Sequence, residues 1–186
     1  MVRPQILLET KRFRVVRETQ VTPDGKEHSR EVVRHPGAVV ILPLLDDGRI
    51  CLIHNYRVSV DKTLLELPAG TLEIGEDPAV AAGRELSEEP GYRAKRIELL
   101  SVFYMSPGIL DERMHLYLAT GLESGPMALD PAEDIVPLRM SWDAALAMAR
   151  DGRIQDAKTL ASLLYYHTFY RAASDPHARS ATTDEA

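Results

Sequence analysis

The sequence lacks the features that mark several protein classes. It holds a single cysteine, Cys51, in 186 residues, so no disulfide can form within the chain. Cys51 sits in an apolar run, where a lone thiol reads as a small buried hydrophobe rather than a nucleophile. Long apolar stretches are missing too. The longest, Ala38 to Leu45, has eight residues and is interrupted by Pro43. A membrane-spanning helix needs about 20. The opening MVRPQILLETKRFR has no apolar centre and no small-residue cleavage site, so no signal peptide is expected, and a cytoplasmic location follows. Positive charge is in deficit, with 22 Lys and Arg against 28 Asp and Glu and a net charge of -6. That balance disfavours nucleic acid as a partner, yet leaves room for a small anionic substrate held by metal ions and a few arginines. The histidines His28, His35, His54, His115, His167 and His177 show no H-x-x-x-H spacing, which argues against zinc chemistry.

What is present belongs to an ordinary globular protein, 45% hydrophobic and 27% charged, long enough for one buried core. Phe13 to Val21 and Glu27 to Val33 flank Thr22-Pro23-Asp24-Gly25 and predict a hairpin. Val39 to Leu45 and Arg49 to Tyr56 flank Asp46-Asp47-Gly48 and predict a second. Short strands are expected at Leu64 to Leu67, Ile97 to Met105, Met114 to Ala119 and Ile135 to Met140. Helices are expected from Asp77 to Glu89, between an Asp77-Pro78 start and a Pro90-Gly91 stop, and at Ser141 to Arg150 and Gln155 to Ala172. Tyr165, Tyr166, Phe169 and Tyr170 read as helix packing or a subunit contact. No repeat or linker divides the chain, and a mixed sheet with helices on its faces is the simplest architecture.

The chemistry concentrates in Gly70 to Tyr92. Glu85, Glu88 and Glu89 stand at i, i+3 and i+4, which puts three carboxylates on one helix face. They also crowd the last turn, where the helix dipole is already negative and each costs about 0.3–1 kcal/mol. A helix shaped for stability would carry lysine or arginine there. Arg84 is one positive charge against three negative ones, so a hard divalent cation with oxygen ligands fits best. Three glutamates alone also fit a solvated helix end, and the rest of the segment decides between the two readings.

The segment resembles the Nudix box, which runs Gly, five residues, Glu, seven residues, Arg-Glu, an aliphatic, any residue, Glu-Glu, any residue, Gly and a bulky apolar residue. Gly70, Glu76, Arg84-Glu85-Leu86, Glu88-Glu89, Gly91 and Tyr92 fill it, with Pro90 at a free position. The resemblance implies a Nudix-type α/β/α sandwich with a mixed β-sheet. It implies metal ligation by Glu85, Glu89 and the carbonyl of Ala69, with catalytic roles for Glu88 and Arg84, and Mg²⁺ or in substitution Mn²⁺ as cofactor. Asn55-Tyr56-Arg57, the run LLELPAGTLEIGED, Pro107 fifteen residues after Tyr92 and the ending GRIQDAKTLASLLYYHTFYR are similar to the ADP-ribose pyrophosphatase branch. Carried over from that branch, Arg57 would contact the diphosphate or terminal ribose, and Glu112 a ribose. Pro107 would lie in a loop lining the substrate site. Arg34 would reach the substrate from the second subunit of a homodimer. As domains, the reading gives 1–35 as an N-terminal β-strand region for dimerisation, 36–173 as the hydrolase domain and 174–186 as a disordered tail.

Relatives carry Glu-x-Glu in the loop that here reads Leu129 to Asp134. Aligned on Asp134-Ile135, Glu133 takes the metal-reaching position, while Pro131 falls where the general base would be. Proline cannot accept a proton, so Asp130, Glu133, Glu88 or a hydroxide generated directly between metal ions remain as candidates, Glu133 ranked first. The expected reaction is metal-dependent cleavage of ADP-ribose to AMP and ribose 5-phosphate. GDP-mannose or another nucleotide sugar is the alternative substrate, and an ADP-ribose-binding protein with weak catalysis the alternative role.

Overall fold

The computed structural model describes residues 4–129, 131 and 134–171. Its centre is the strand β4 (Ala38–Pro43), six residues buried on both faces. A strand without a polar face cannot sit at a solvated sheet, and β4 is accordingly enclosed. It runs antiparallel to β7 (Ala69–Thr71) and parallel to β9 (Arg113–Ser124), whose other edge holds β8 (Tyr92–Tyr104). The result is a four-stranded mixed sheet. A second sheet places β5 (Arg49–Arg57) between β6 (Lys62–Glu66) and β10 (Ile135–Ser141), all antiparallel.

Alternation along β4 divides the interior in two. Val39 and Ile41, with Cys51 and Tyr117, pack beneath the helix α1 (Pro78–Glu88), which supplies Ala81, Ala82 and Leu86. Ala38, Val40 and Leu42, with Ile50 and Leu52, pack on the opposite side with Trp142, Ala145 and Leu163 of α2 (Trp142–Arg150) and α3 (Ala157–Tyr166). Helices thus cover both sides of the strand layer, as the sandwich reading requires. Asp77 accepts the Ala79 N–H at 2.8 Å and Ser141 that of Ala144 at 3.2 Å, so each residue caps the helix it was expected to open. Burial pushes the Cys51 thiol up to about 11, in keeping with an inert core residue. Tyr165, Tyr166 and Tyr170 pack against the α2/α3 core, and a π-helical turn at His167–Arg171 follows α3.

The predicted hairpin across Asp46-Asp47-Gly48 does not form. Its turn closes, with the Gly48 N–H on the Leu45 carbonyl and the Leu45 N–H on that of Arg49, each at 2.9 Å. A single bridge then joins Leu44 to Ile50, and β4 and β5 part into different sheets. Pairing with β7 and β9 satisfies the backbone of β4 while α1 and α2/α3 cover its two faces, which the local turn signal could not outweigh. Sequence reasoning also missed β7 and β1 (Gln5–Glu9) and made β8 and β9 too short. The first hairpin does form, as β2 (Arg14–Val21) and β3 (Glu27–Arg34), with β1 added to its edge. Ile6, Leu7 and Leu8 of β1 and Phe13 in the β1–β2 turn are exposed on this small sheet. Among the described residues, no helix is long and apolar enough to cross a membrane. The expected tail at 174–186 lies outside the described residues.

Candidate active site

The loop before α1 and the last turns of α1 form the site. Glu85 and Glu89 are 8% and 3% exposed, whereas Glu88 retains 38% of its side-chain surface. The Glu85 carboxylate lies against Gly70, so close that a Cβ there would stand 1.8 Å from Oε1. Glu89 accepts the Ala69 N–H at 2.9 Å, which fastens β7 to the end of the helix. Arg84 is the hub. Its guanidinium reaches Glu76 (3.0 and 3.1 Å), Glu85 (2.7 Å) and Glu88 (3.0 Å), and its pKa is raised, chiefly by the hydrogen bond to Glu76. Glu76 in turn accepts the Glu73 N–H at 2.9 Å, so the pair ties the loop to the helix. Arg84, expected as a catalytic residue, is placed where it orders carboxylates.

The one guanidinium of Arg84 is shared among three glutamates, Glu76, Glu85 and Glu88, and the last helical turn of α1 carries no basic side chain. Such a crowding of carboxylate oxygen at a helix end suits a hard cation. Among the described residues, no three His, Cys, Asp or Glu side chains gather around one point, so Glu85 and Glu89 would need oxygens from elsewhere. The Ala69 carbonyl, water and substrate phosphate are the normal complement for Mg²⁺. The residues therefore fit a divalent metal bound partly by its substrate. Glu133 and Asp130 lie outside the described residues.

Arg57, at the end of β5, lies near this cluster. Glu89 helps raise its pKa, although its hydrogen bonds to Glu66 dominate and burial opposes. Glu66 takes the guanidinium fork with both oxygens, from Nε at 2.8 Å and Nη2 at 2.6 Å. Burial pushes the Glu66 carboxyl up, but Arg57 and Lys158 together outweigh it and hold it below the ordinary value. Sequence reasoning singled out Arg57 and missed Glu66 and Lys158. A glutamate inside Leu64-Leu65-Glu66-Leu67 was the available signal, since a charge in an apolar strand demands a counter-charge.

Arg34 and Glu112 belong to a second cluster where β3 turns into β4. Arg34 pairs with Glu18 and with Asp111 at 2.9 Å, and its pKa is raised by those bonds. Asp111 also accepts the His35 N–H at 2.7 Å, and Glu112 stands 3.7 Å from His35 Nδ1. The loop carrying Asp111 is stapled to β3 by Val33 N–H on the Ile109 carbonyl (2.8 Å) and Asp111 N–H on that of Val33 (3.1 Å). Pro107 is exposed in the turn of this loop. A cleft of about 790 Å³ opens beside the cluster, lined by Ile6, Phe13, Arg34, His35, Ile74 and Asp111. Its walls include neither Glu85, Glu89 nor Arg57, so it does not contain the carboxylate cluster of α1.

Residues 33–163 match the family model of the NUDIX domain. The chain is 42% identical over 145 residues to a methanol dehydrogenase activator of Bacillus methanolicus, covering 77% of this chain and 78% of that one. It is 39% identical over 145 residues to an ADP-ribose pyrophosphatase of Bacillus subtilis (strain 168), with the same coverage of 77% and 78%. A crystal structure of an ADP compounds hydrolase superposes with a TM-score of 0.78 at 22% identity, covering 94% of this chain and 97% of the other, and so shares its fold.

Proposed function

The chain belongs to the Nudix family, and from that premise we propose that it hydrolyses the diphosphate linkage of ADP-ribose or a related nucleoside diphosphate sugar. The observation that carries this reading is the meeting of opposite needs at one place. Buried Glu85 and Glu89 bring two carboxylates to the end of α1, where a cation would be held, and Arg57, whose pKa Glu89 helps raise, keeps 39% of its side-chain surface and is open to an anion. Family members generally use divalent cations, and Mg²⁺ is proposed here, with Mn²⁺ as substitute. When bound, the cation neutralises diphosphate charge and acidifies the attacking water.

Glu85, Glu89 and the Ala69 carbonyl would hold it, with Glu133 as a further ligand. Arg84 keeps Glu85 and Glu88 oriented. Arg57 holds the diphosphate, and Arg34, Glu112 and the Pro107 loop face the sugar and nucleoside. Water adds its oxygen to one phosphorus as the bridging P–O bond breaks, and a carboxylate takes the proton. Glu133 is the first candidate for that base and Glu88 the second. On ADP-ribose the products are AMP and ribose 5-phosphate. Exposed Ile6, Leu7, Leu8 and Phe13 support a homodimer built through the N-terminal sheet, and a cytoplasmic location is part of the same reading.

The test is a panel of ADP-ribose, GDP-mannose and other nucleotide sugars, assayed by phosphatase-coupled phosphate release under Mg²⁺ and Mn²⁺ titration. ADP-ribose should give the highest kcat/KM. Turnover of no diphosphate with either metal would reject the proposal. Pro131 at the expected base position favours a second reading, an ADP-ribose binder with weak catalysis. Tight binding without turnover would select it.

A further inference from the structure

Arg57 ends a chain of four charges of alternating sign, and the reaction above does not use the three behind it, Glu66, Lys158 and Asp156. Arg57 is the half-exposed end. Glu66 is fully buried, and Lys158 and Asp156 keep only 10% and 12% of their side-chain surface. Lys158 Nζ donates to Glu66 Oε2 and to Asp156 Oδ1, the latter at 2.9 Å. Asp156 caps α3 through its other oxygen, which accepts the Thr159 N–H at 2.9 Å and the Thr159 hydroxyl at 2.6 Å. The Thr159 hydroxyl oxygen accepts the Leu67 N–H at 2.8 Å, two residues before Ala69. One helix start, 92 residues away in sequence, thus grips both Glu66 and the segment that presents Ala69.

Stability alone does not call for such an arrangement. Desolvating charges is costly, and apolar replacements of buried ion pairs are often as stable. What a satisfied fork of charged hydrogen bonds supplies is orientation, because a planar guanidinium gripped by both carboxylate oxygens cannot rotate. We propose that Asp156, Lys158 and Thr159 are positioning residues, which fix Arg57 through Glu66 and the Ala69 carbonyl through Leu67 relative to the carboxylates of α1. The proposal rests on the reading of Arg57 and Ala69 given above. It separates into two arms. The lysine arm governs substrate affinity, and the threonine arm governs metal affinity.

The experiment uses the full chain, ADP-ribose and Mg²⁺, with variants Lys158→Met, Thr159→Val, Arg57→Ala and the double variant Arg57→Ala/Lys158→Met. Lys158→Met should raise KM about 10-fold or more while leaving the half-saturating Mg²⁺ concentration unchanged. Thr159→Val should raise that Mg²⁺ concentration about 10-fold at nearly constant KM. Once Arg57 is gone, Lys158→Met should add almost nothing. Should Lys158→Met be insoluble, Lys158→Gln, whose amide still donates to Glu66, should give a smaller KM increase. An equal effect of the lysine variant with and without Arg57 would overturn the lysine arm, and an unchanged Mg²⁺ requirement in Thr159→Val would overturn the other. An unchanged KM in Arg57→Ala would instead reject Arg57 as a substrate contact, and the lysine arm with it. The threonine arm would then stand or fall on its own metal titration.

Discussion

The Glu85 carboxylate fills the space where a side chain on Gly70 would begin, 1.8 Å from an ideal Cβ. The first glycine of the box is therefore a steric condition on Glu85, the proposed metal ligand. The obstructing atoms are the far end of a flexible side chain, so the fold can yield while the ligand moves. Gly70→Ala should lower Mg²⁺-dependent turnover about 10- to 100-fold, with little change in thermal midpoint. Full activity in that variant would show that Glu85 is not fixed by this contact.

Gly91 should behave in the opposite way. Its φ is 72°, and a Cβ would stand 2.8 Å from the Gly125 carbonyl oxygen, which is backbone and cannot swing aside. Gly91→Ala should cost about 1–3 kcal/mol of stability. Urea denaturation would read this, and a midpoint equal to that of the parent would refute it.

Replacing Glu89 with Gln keeps one oxygen to accept the Ala69 N–H, while it removes the charge and the second accepting oxygen. The far-ultraviolet circular dichroism spectrum should be unchanged, while turnover falls at least about 100-fold. Near-normal rates would remove Glu89 from the metal site.

Glu66 and Glu76 are both held below the ordinary carboxyl value of 4.5, Glu66 because its two cations outweigh burial and Glu76 through its bonds to Arg84. A depressed folded-state pKa means that the unfolded chain takes up protons first. Their stabilisation is thus complete above about 4.5 and lost as pH falls from there through the lower folded values. The thermal midpoint should decline with acid over that window, and Glu66→Gln should flatten the decline. An unflattened slope would show that Glu66 carries none of the dependence.

A homodimer mass is expected by light scattering, and Leu8→Asp together with Phe13→Asp should convert it to monomer. A parent protein that elutes as monomer would contradict the dimer and any role for Arg34 across the interface.

The box was legible because its signals are local. The Asp77-Pro78 start, the acidic last turn and the glycine spacing all lie within two dozen residues, and α1 forms as they require. The hairpin across Asp46 to Gly48 failed for the converse reason. That turn is real, but what each strand pairs with depends on β7, β9, β6 and β10, which a local reading does not weigh. The charge chain under Arg57 joins β6 to α3 across 92 residues, so only its misfit member, Glu66, left a trace in the sequence.

A strand that is oily on both sides keeps no hydropathic record of its own alignment. Sliding β4 by one residue would trade Val39 and Ile41 for Val40 and Leu42, an almost neutral exchange. The memory of the correct setting must then reside at its extremities. Gly37, at a φ of 100°, receives the Leu72 N–H at 3.0 Å, and the Leu45–Arg49 turn closes the other end. Because Val40 lies opposite Ala69, these two small anchors determine where that carbonyl arrives.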